Sequence, residues 1–162
     1  MQVVDEYRKS DTEDIFIYPV GKKVEEAASK AGLSVQGSYQ EMAKKPAYND
    51  AEQLAQVIMD KFVSGEIDKV ELIYHHFKSS GSQELVREIF LPVNPSELLE
   101  RINNETGTKE TETYLQTDYI VEPSVQELVD ELIPKVLQLN MFTALLDSNA
   151  SEHAARTMAL QI

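Results

Sequence analysis

The first third of the chain alternates apolar runs with amphipathic stretches. Residues 14–20 form a largely apolar run that includes Pro19 and stops before Gly21, which predicts a buried strand. Four apolar residues with helical spacing then precede Gly32 and predict a helix that ends there. They are Val24, Ala27, Ala28 and Ala31. Residues 33–39 predict a second, weaker strand, and this order of elements is typical of a parallel sheet.

A second helix and a hairpin are predicted next. Asp50 is the expected N-cap of the helix, with Gln53 completing a capping box, and the helix is expected to end near Gly65. Its inward residues are predicted to be Leu54, Ala55, Ile58 and Phe62. Two apolar segments, 69–77 and 85–91, flank a turn rich in serine and predict an antiparallel hairpin. We therefore expect one sheet that is parallel at first and antiparallel at one edge.

Three short segments separate the hairpin from the C-terminal part. Residues 95–102 predict a short helix, and residues 119–121 predict a last strand. Residues 103–118 between them are polar and rich in Thr and Glu, which predicts a mobile loop. Ser124 and Glu127 then form a capping box that predicts the start of a further helix.

Pro134 is expected to interrupt this helix near Ile133, because proline suits the first turn of a helix and disrupts its interior. A new helix is therefore predicted from Pro134 to the end of the sequence. Residues 136–146 are apolar nearly all round, which predicts burial on every side.

Small residues follow in the same helix and would let a second helix approach closely. They are Ala150, Ala154, Ala155 and Ala159. Ala150, Ala154 and Met158 are spaced by four residues and are the predicted packing contacts. No other helix of suitable length is predicted in the sequence, so the partner helix is expected to lie outside it.

Composition excludes several classes of function. The 162 residues carry a formal net charge of −13, which repels a phosphate backbone and excludes nucleic acid as a partner. There is no cysteine, so disulfides, thiolate nucleophiles and sulfur ligands for metals are excluded. No apolar run approaches the ~20 residues that a membrane helix needs. The first ten residues lack the apolar core of a signal peptide, so we expect a cytosolic chain.

No arrangement of residues indicates catalysis. Gly21-Lys22 lacks the preceding glycine of a phosphate-binding loop, because Phe16 stands at that position, and it lacks the Ser or Thr that should follow. His75 and His76 are neighbours on a predicted strand, so one packed and one exposed imidazole are expected. We predict no catalytic residue, no metal site and no cofactor.

The C-terminal residues carry a resemblance to a known family. Residues 151–156 read Ser-Glu-His-Ala-Ala-Arg, which resembles the Ser-Glu-(His/Gln)-Ala-Ala-Arg pattern in the long C-terminal helix of F-type ATP synthase gamma subunits. Segments 20–23, 65–70 and 119–123 resemble the same family in order and spacing, as do the hairpin and Leu91-Pro92. The resemblance covers nearly the whole chain.

This resemblance implies a mechanical role. Gamma subunits transmit torque between the membrane-embedded c-ring and the catalytic ring of alpha and beta subunits in proton-driven ATP synthesis. Their two long helices form an antiparallel coiled coil inside that ring, and their globular domain meets the epsilon subunit and the c-ring. The implied location is the cytoplasmic face of the bacterial inner membrane, where the protein is peripheral. The resemblance implies a non-catalytic subunit of this multisubunit enzyme.

The resemblance also assigns roles to single positions. Tyr119 and Glu122 fall where the family contacts the c-ring, and Arg156 falls where the shaft faces the beta subunit. Each has a structural alternative. Tyr119 is then an aromatic at a strand edge, Glu122 an acid that precedes a helix, and Arg156 the surface ion-pair partner of Glu152.

We predict an α/β fold with a three-layer, Rossmann-like domain at residues 1–132 and a mixed sheet. Residues 133–162 are the predicted start of the shaft helix, which protrudes and is also packed on the same domain. The family's long N-terminal helix and its Gly-Leu-Cys-Gly strand are missing from the sequence, so the resemblance implies an excised fragment. The uncovered helix is expected to form a truncation-induced homodimer.

Two alternatives stay open. One is a small acidic α/β enzyme or ligand-binding domain with an unrecognised site. A deep polar pocket at the carboxyl ends of the parallel strands would favour it. The other is a generic interaction module, which a free apolar face without an ATP synthase partner would favour.

Overall fold

The computed structural model describes residues 14–94 and 125–161, together with positions 5, 6 and 9. The elements in chain order are β1 (Phe16–Ile17), α1 (Lys22–Lys30), β2 (Ser34–Val35), α2 (Gln40–Lys44), α3 (Tyr48–Val63), β3 (Val70–Ser79), β4 (Ser82–Leu91) and α4 (Val125–Gln161). This confirms a mixed α/β chain with a long C-terminal helix. The predicted helix at 95–102, the loop at 103–118 and the strand at 119–121 lie outside the described residues.

The described strands form two separate two-stranded sheets. β1 and β2 pair in parallel, with Phe16 opposite Ser34. β3 and β4 form the predicted antiparallel hairpin, with Ser79 opposite Ser82. The prediction of one mixed sheet is therefore wrong for the described residues. β1 has only two residues, and the buried Pro19 just after it has no N–H to extend a ladder, so the parallel pair offers little edge to other strands.

One predicted helix end is confirmed, and one predicted helix start is wrong. α1 ends before Gly32, whose φ of 75° lets its N–H donate to the carbonyl of Ser29 at 3.1 Å. Asp50 is not the N-cap of α3, since the helix begins at Tyr48 and Ala47 holds the cap position without a side-chain bond. The helix starts two residues earlier than predicted, where the ring of Tyr48 contacts Phe142 of α4, and Asp50 inside the first turn still suits the helix dipole.

The core lies where α3, α4 and the hairpin meet. α3 buries Leu54, Ala55 and Ile58 as predicted, while Phe62 is half-buried against the same cluster. The cluster also holds Leu137, Met141 and Leu145, which belong to the run 136–146 predicted to be buried. The sequence analysis did not place its remaining members inside, namely Met42, Ala51, Met59, Phe90 and Leu91. Met42 belongs to α2, a short helix that was not predicted.

α4 is one continuous helix of 37 residues, about 55 Å long. The predicted break near Ile133 is wrong, because Pro134 lies inside the helix. A proline there costs about 3 kcal/mol relative to alanine. Ile133 before the proline and Leu137 after it both pack on the core, so burial on both sides offsets that cost. Burial all round is also wrong, since Leu139 is 55% exposed and Leu146 is 45% exposed.

Candidate functional site

α4 presents one face to the body of the protein and packs against β3 and α3. Leu137, Met141 and Leu145 are buried along this face. At its edge, the ring of Phe142 meets Tyr48 of α3 edge-on, with centroids 5.6 Å apart. The apolar contact fixes which side of α4 faces inward.

Three polar side chains within five residues of α4 add directional bonds to that contact. Asp147 Oδ2 lies 2.8 Å from Nδ1 of His76 on β3. Ser151 Oγ donates to the backbone carbonyl of His75 at 3.2 Å, and Asn149 Nδ2 donates to the carbonyl of Ala43 on α2 at 2.9 Å. We call Asp147, Asn149 and Ser151 the tether residues. The histidines divide as expected, with His75 exposed and His76 half-buried.

The opposite face of α4 carries a leucine stripe with a spacing of seven residues. Its members and their exposures are Leu132 (43%), Leu139 (55%), Leu146 (45%) and Leu160 (81%). His153 occupies the remaining position in this spacing and is exposed. Apolar residues seven apart on an exposed helix face supply one of the two apolar positions per heptad that a coiled-coil contact uses. From Leu132 to Leu160 the stripe extends about 42 Å.

The predicted packing residues start about 40° from the leucine stripe at Ala150 and turn away from it, since Met158 is two residues from Leu160 and lies about 160° around the helix from it. Ala150 is exposed, Ala154 is half-buried and Met158 is 39% exposed, so they offer an accessible surface of small residues. Sequence reasoning missed the leucine stripe itself, although the seven-residue spacing was visible in the sequence. Arg156 bonds Glu152 at 2.6 Å, and both side chains are mostly exposed. Tyr119 and Glu122 lie outside the described residues.

A shallow groove lies beside α2 and α3. It has a volume of about 520 Å³ and is lined by α2, α3 and the residues just before α2. Two of its lining residues bond Glu25 of α1. The carboxylate of Glu25 accepts hydrogen bonds from Gln40 Nε2 at 2.9 Å and from Ser38 Oγ at 2.8 Å. These two bonds, that of Gln40 first, hold the pKa of Glu25 below its ordinary value. Burial, reinforced by nearby Tyr18, raises the pKa of Tyr39 in the groove wall.

Within 14–94 and 125–161, no three His, Asp or Glu side chains come close enough to hold a metal ion. In the same ranges, no helix is long and apolar enough to cross a membrane. The feature that stands out is the long helix α4, which is hydrogen-bonded to the body on one side and apolar on the other.

Known proteins match the chain over its whole length. The family model described as ATP synthase matches residues 1–162. The chain is 52% identical to the ATP synthase gamma chain of Bacteroides fragilis and 48% identical to that of Bacteroides thetaiotaomicron, in each case over 100% of its own length. This chain belongs to the family of ATP synthase gamma chains. It spans about half the length of these curated gamma chains, namely 53% and 54%.

A solved structure has a similar fold. The central stalk and c-ring of the Tetrahymena thermophila mitochondrial ATP synthase contain a chain that superposes with a TM-score of 0.63 at 20% identity. The match covers 99% of this chain and 66% of that one. At this identity the likeness concerns the fold, and it agrees with a mixed α/β body attached to a long helix.

Proposed function

We propose that this chain is part of the central rotor of a proton-translocating F-type ATP synthase and transmits torque between the c-ring and the catalytic alpha/beta ring. The observation that carries the proposal is the two-sided character of α4. One side is packed and tethered to the body, while the other carries the leucine stripe. A helix built in this way joins a globular body to a second helix, as a rotor shaft requires.

The leucine stripe is the proposed contact for the long N-terminal helix of the family, which pairs with the C-terminal helix in an antiparallel coiled coil. Ala150, Ala154 and Met158 are proposed as further packing residues of the shaft helix, on a face that turns away from the stripe, from about 40° at Ala150 to about 160° at Met158. When that helix is lacking, a second copy of the chain is the proposed occupant. Covering the four leucines removes apolar surface from water in either case.

The other contacts follow the family by position. Tyr119 and Glu122 are proposed to contact the c-ring, and Arg156 to contact the beta subunit. The epsilon subunit is the proposed partner of the globular domain. We further propose that residues 1–132 form that domain, with a Rossmann-like fold, and that residues 133–162 begin the shaft. The proposed location is the cytoplasmic face of the bacterial inner membrane.

The chain is proposed to supply no catalytic group to the complex. The described residues lack a metal cluster, and the imidazole of His76 bonds Asp147. The groove beside α2 is the one observation that favours the rival, a ligand-binding α/β domain, because Ser38 and Tyr39 follow β2 closely. The groove is open to solvent, and its residues Ser38 and Gln40 already bond Glu25. The rotor proposal is therefore better supported than a ligand-binding site.

A chimeric gamma chain tests the rotor proposal. The matching half of the Bacteroides fragilis gamma chain is replaced by these 162 residues, and the chimera is assembled with its partner subunits. A bead on the globular domain should then rotate when ATP is supplied to complexes fixed by their alpha/beta ring. A complex that assembles and hydrolyses ATP while the bead stays still would contradict the proposal.

A further inference from the structure

We propose that the tether residues Asp147, Asn149 and Ser151 form a torsional joint that sets the rotation of α4 about its own axis relative to the body. They are positioning residues, and the inference rests on the proposed rotor function. It adds a specific place where torque passes from the body to the shaft.

The tether residues bond α4 to the body from two sides of the helix. Successive residues of a helix turn by about 100°, so Asp147 and Ser151 lie within about 40° of each other, while Asn149 is about 160–200° away from them. Asp147 and Ser151 bond β3, and Asn149 bonds α2. Rolling the helix in either direction therefore stretches at least one bond.

Apolar packing alone cannot fix the rotation of α4 about its own axis. Burial of Leu137, Met141 and Leu145 holds α4 against the body, but the hydrophobic effect is non-directional and tolerates small rotations. Hydrogen bonds weaken steeply when their angle or length departs from the optimum. The hydrogen bonds of the tether residues therefore define the rotation angle of α4 relative to the body, which the apolar contact leaves free to vary.

The joint also lies where α4 leaves the body. Ser151 is the last residue of the helix that is fully buried, at 3% exposure. After it, Ala154 is half-buried and the other described positions up to residue 161 are exposed. Torque that enters α4 from the body must therefore pass through the turn that contains the three tethers.

Torsional stiffness is the property to measure. In the chimeric complex, the thermal angular fluctuation of a bead on the globular domain is recorded while rotation is stalled. The triple variant Asp147→Ala, Asn149→Ala, Ser151→Ala should roughly double the variance of the bead angle, because three directional bonds are lost. The single variants are measured as well, so a triple variant that fails to assemble leaves the test intact.

Ser148→Ala is the matched control. Ser148 lies in the same turn, and in the described part of the chain its hydroxyl makes no hydrogen bond, so the variance should not change. His76→Cys with Asp147→Cys provides a rescue, because these 162 residues have no cysteine of their own. With the cysteines elsewhere in the complex replaced by serine, a short bismaleimide joins these two thiols. Linking them should return the variance toward that of the parent.

The outcomes separate the joint from the rotor proposal. A parent chimera that does not rotate overturns the rotor function. A parent that rotates, with tether variants no softer than Ser148→Ala, overturns the joint alone. A loss of stiffness that the crosslink does not restore also overturns the joint, because the loss then comes from general loosening.

Discussion

The Nδ1 atom of His76 on β3 lies 2.8 Å from Oδ2 of Asp147 on α4, and the two residues are 71 positions apart in the sequence. This contact joins the hairpin to the long helix beside the point where that helix leaves the body. It is therefore a natural place to test the attachment of these two elements.

Asp147→Ala should destabilise the chain by about 1 kcal/mol, the usual net contribution of an intramolecular hydrogen bond. The side chains of His76 and Asp147 are 46% and 26% exposed, so solvent keeps the effect from being larger. Urea unfolding measures the change. Glu152→Ala is the control, since its pair with Arg156 is about 60% exposed on both sides and should contribute only about 0.3 kcal/mol. Equal effects of the two substitutions would contradict the expectation.

Leu54→Ala should cost about 3 kcal/mol, because it opens a cavity where α3 meets α4. Leu54 is 3% exposed and belongs to the central cluster. Val63→Ala near the end of the same helix is the control, and it should change the free energy of unfolding by less than about 0.5 kcal/mol, since Val63 is 85% exposed. A Leu54 variant as stable as the Val63 variant would show that α3 does not pack as described.

Gln40→Ala should raise the pKa of Glu25 toward its ordinary value, because the bond from Gln40 is the largest cause of its lowering. A lowered pKa in the folded state stabilises the fold above the ordinary glutamate pKa of about 4.3. That stabilisation is lost as pH falls through the folded pKa. NMR titration of the Glu25 carboxyl gives the shift. Gln56→Ala removes an exposed amide that bonds Asp60 and should leave Glu25 unchanged.

Self-association through the leucine stripe is expected at high protein concentration and should depend on its central residues. Sedimentation should show the parent chain as a dimer and Leu139→Glu, Leu146→Glu as a monomer with unchanged helix content. Ala154→Glu should weaken pairing less, because Ala154 lies about 100° around the helix from the stripe position His153. A parent chain that stays monomeric while the helix is ordered through Gln161 would count against pairing by this face.

ATP with magnesium should not bind the chain. The phosphate-loop spacing is absent around Gly21, and the net charge of −13 repels a polyphosphate. Calorimetric titration checks this expectation, and micromolar affinity would favour the ligand-binding alternative. If binding were found, Gln53→Ala in the groove wall would locate it, with the exposed Gln56→Ala as the control.

The sequence by itself determined the elements whose signals are local. The α1 helix ends before Gly32 because glycine adopts a positive φ there, and the hairpin forms because two apolar segments flank a short serine-rich turn. The inward residues Leu54, Ala55 and Ile58 followed from helical spacing. The family was recognisable from the run at 151–156, and the full-length match confirmed it.

Tertiary structure alone decided the features that depend on distant residues. α4 passes through Pro134 because residues before and after it pack on a core supplied by α3 and the hairpin, and a local rule cannot weigh that burial against the cost of a proline. The bonds of Asp147, Asn149 and Ser151 reach partners 71, 106 and 76 positions away. Sequence spacing describes which side of a helix a residue occupies, whereas only the folded chain determines what lies opposite that side.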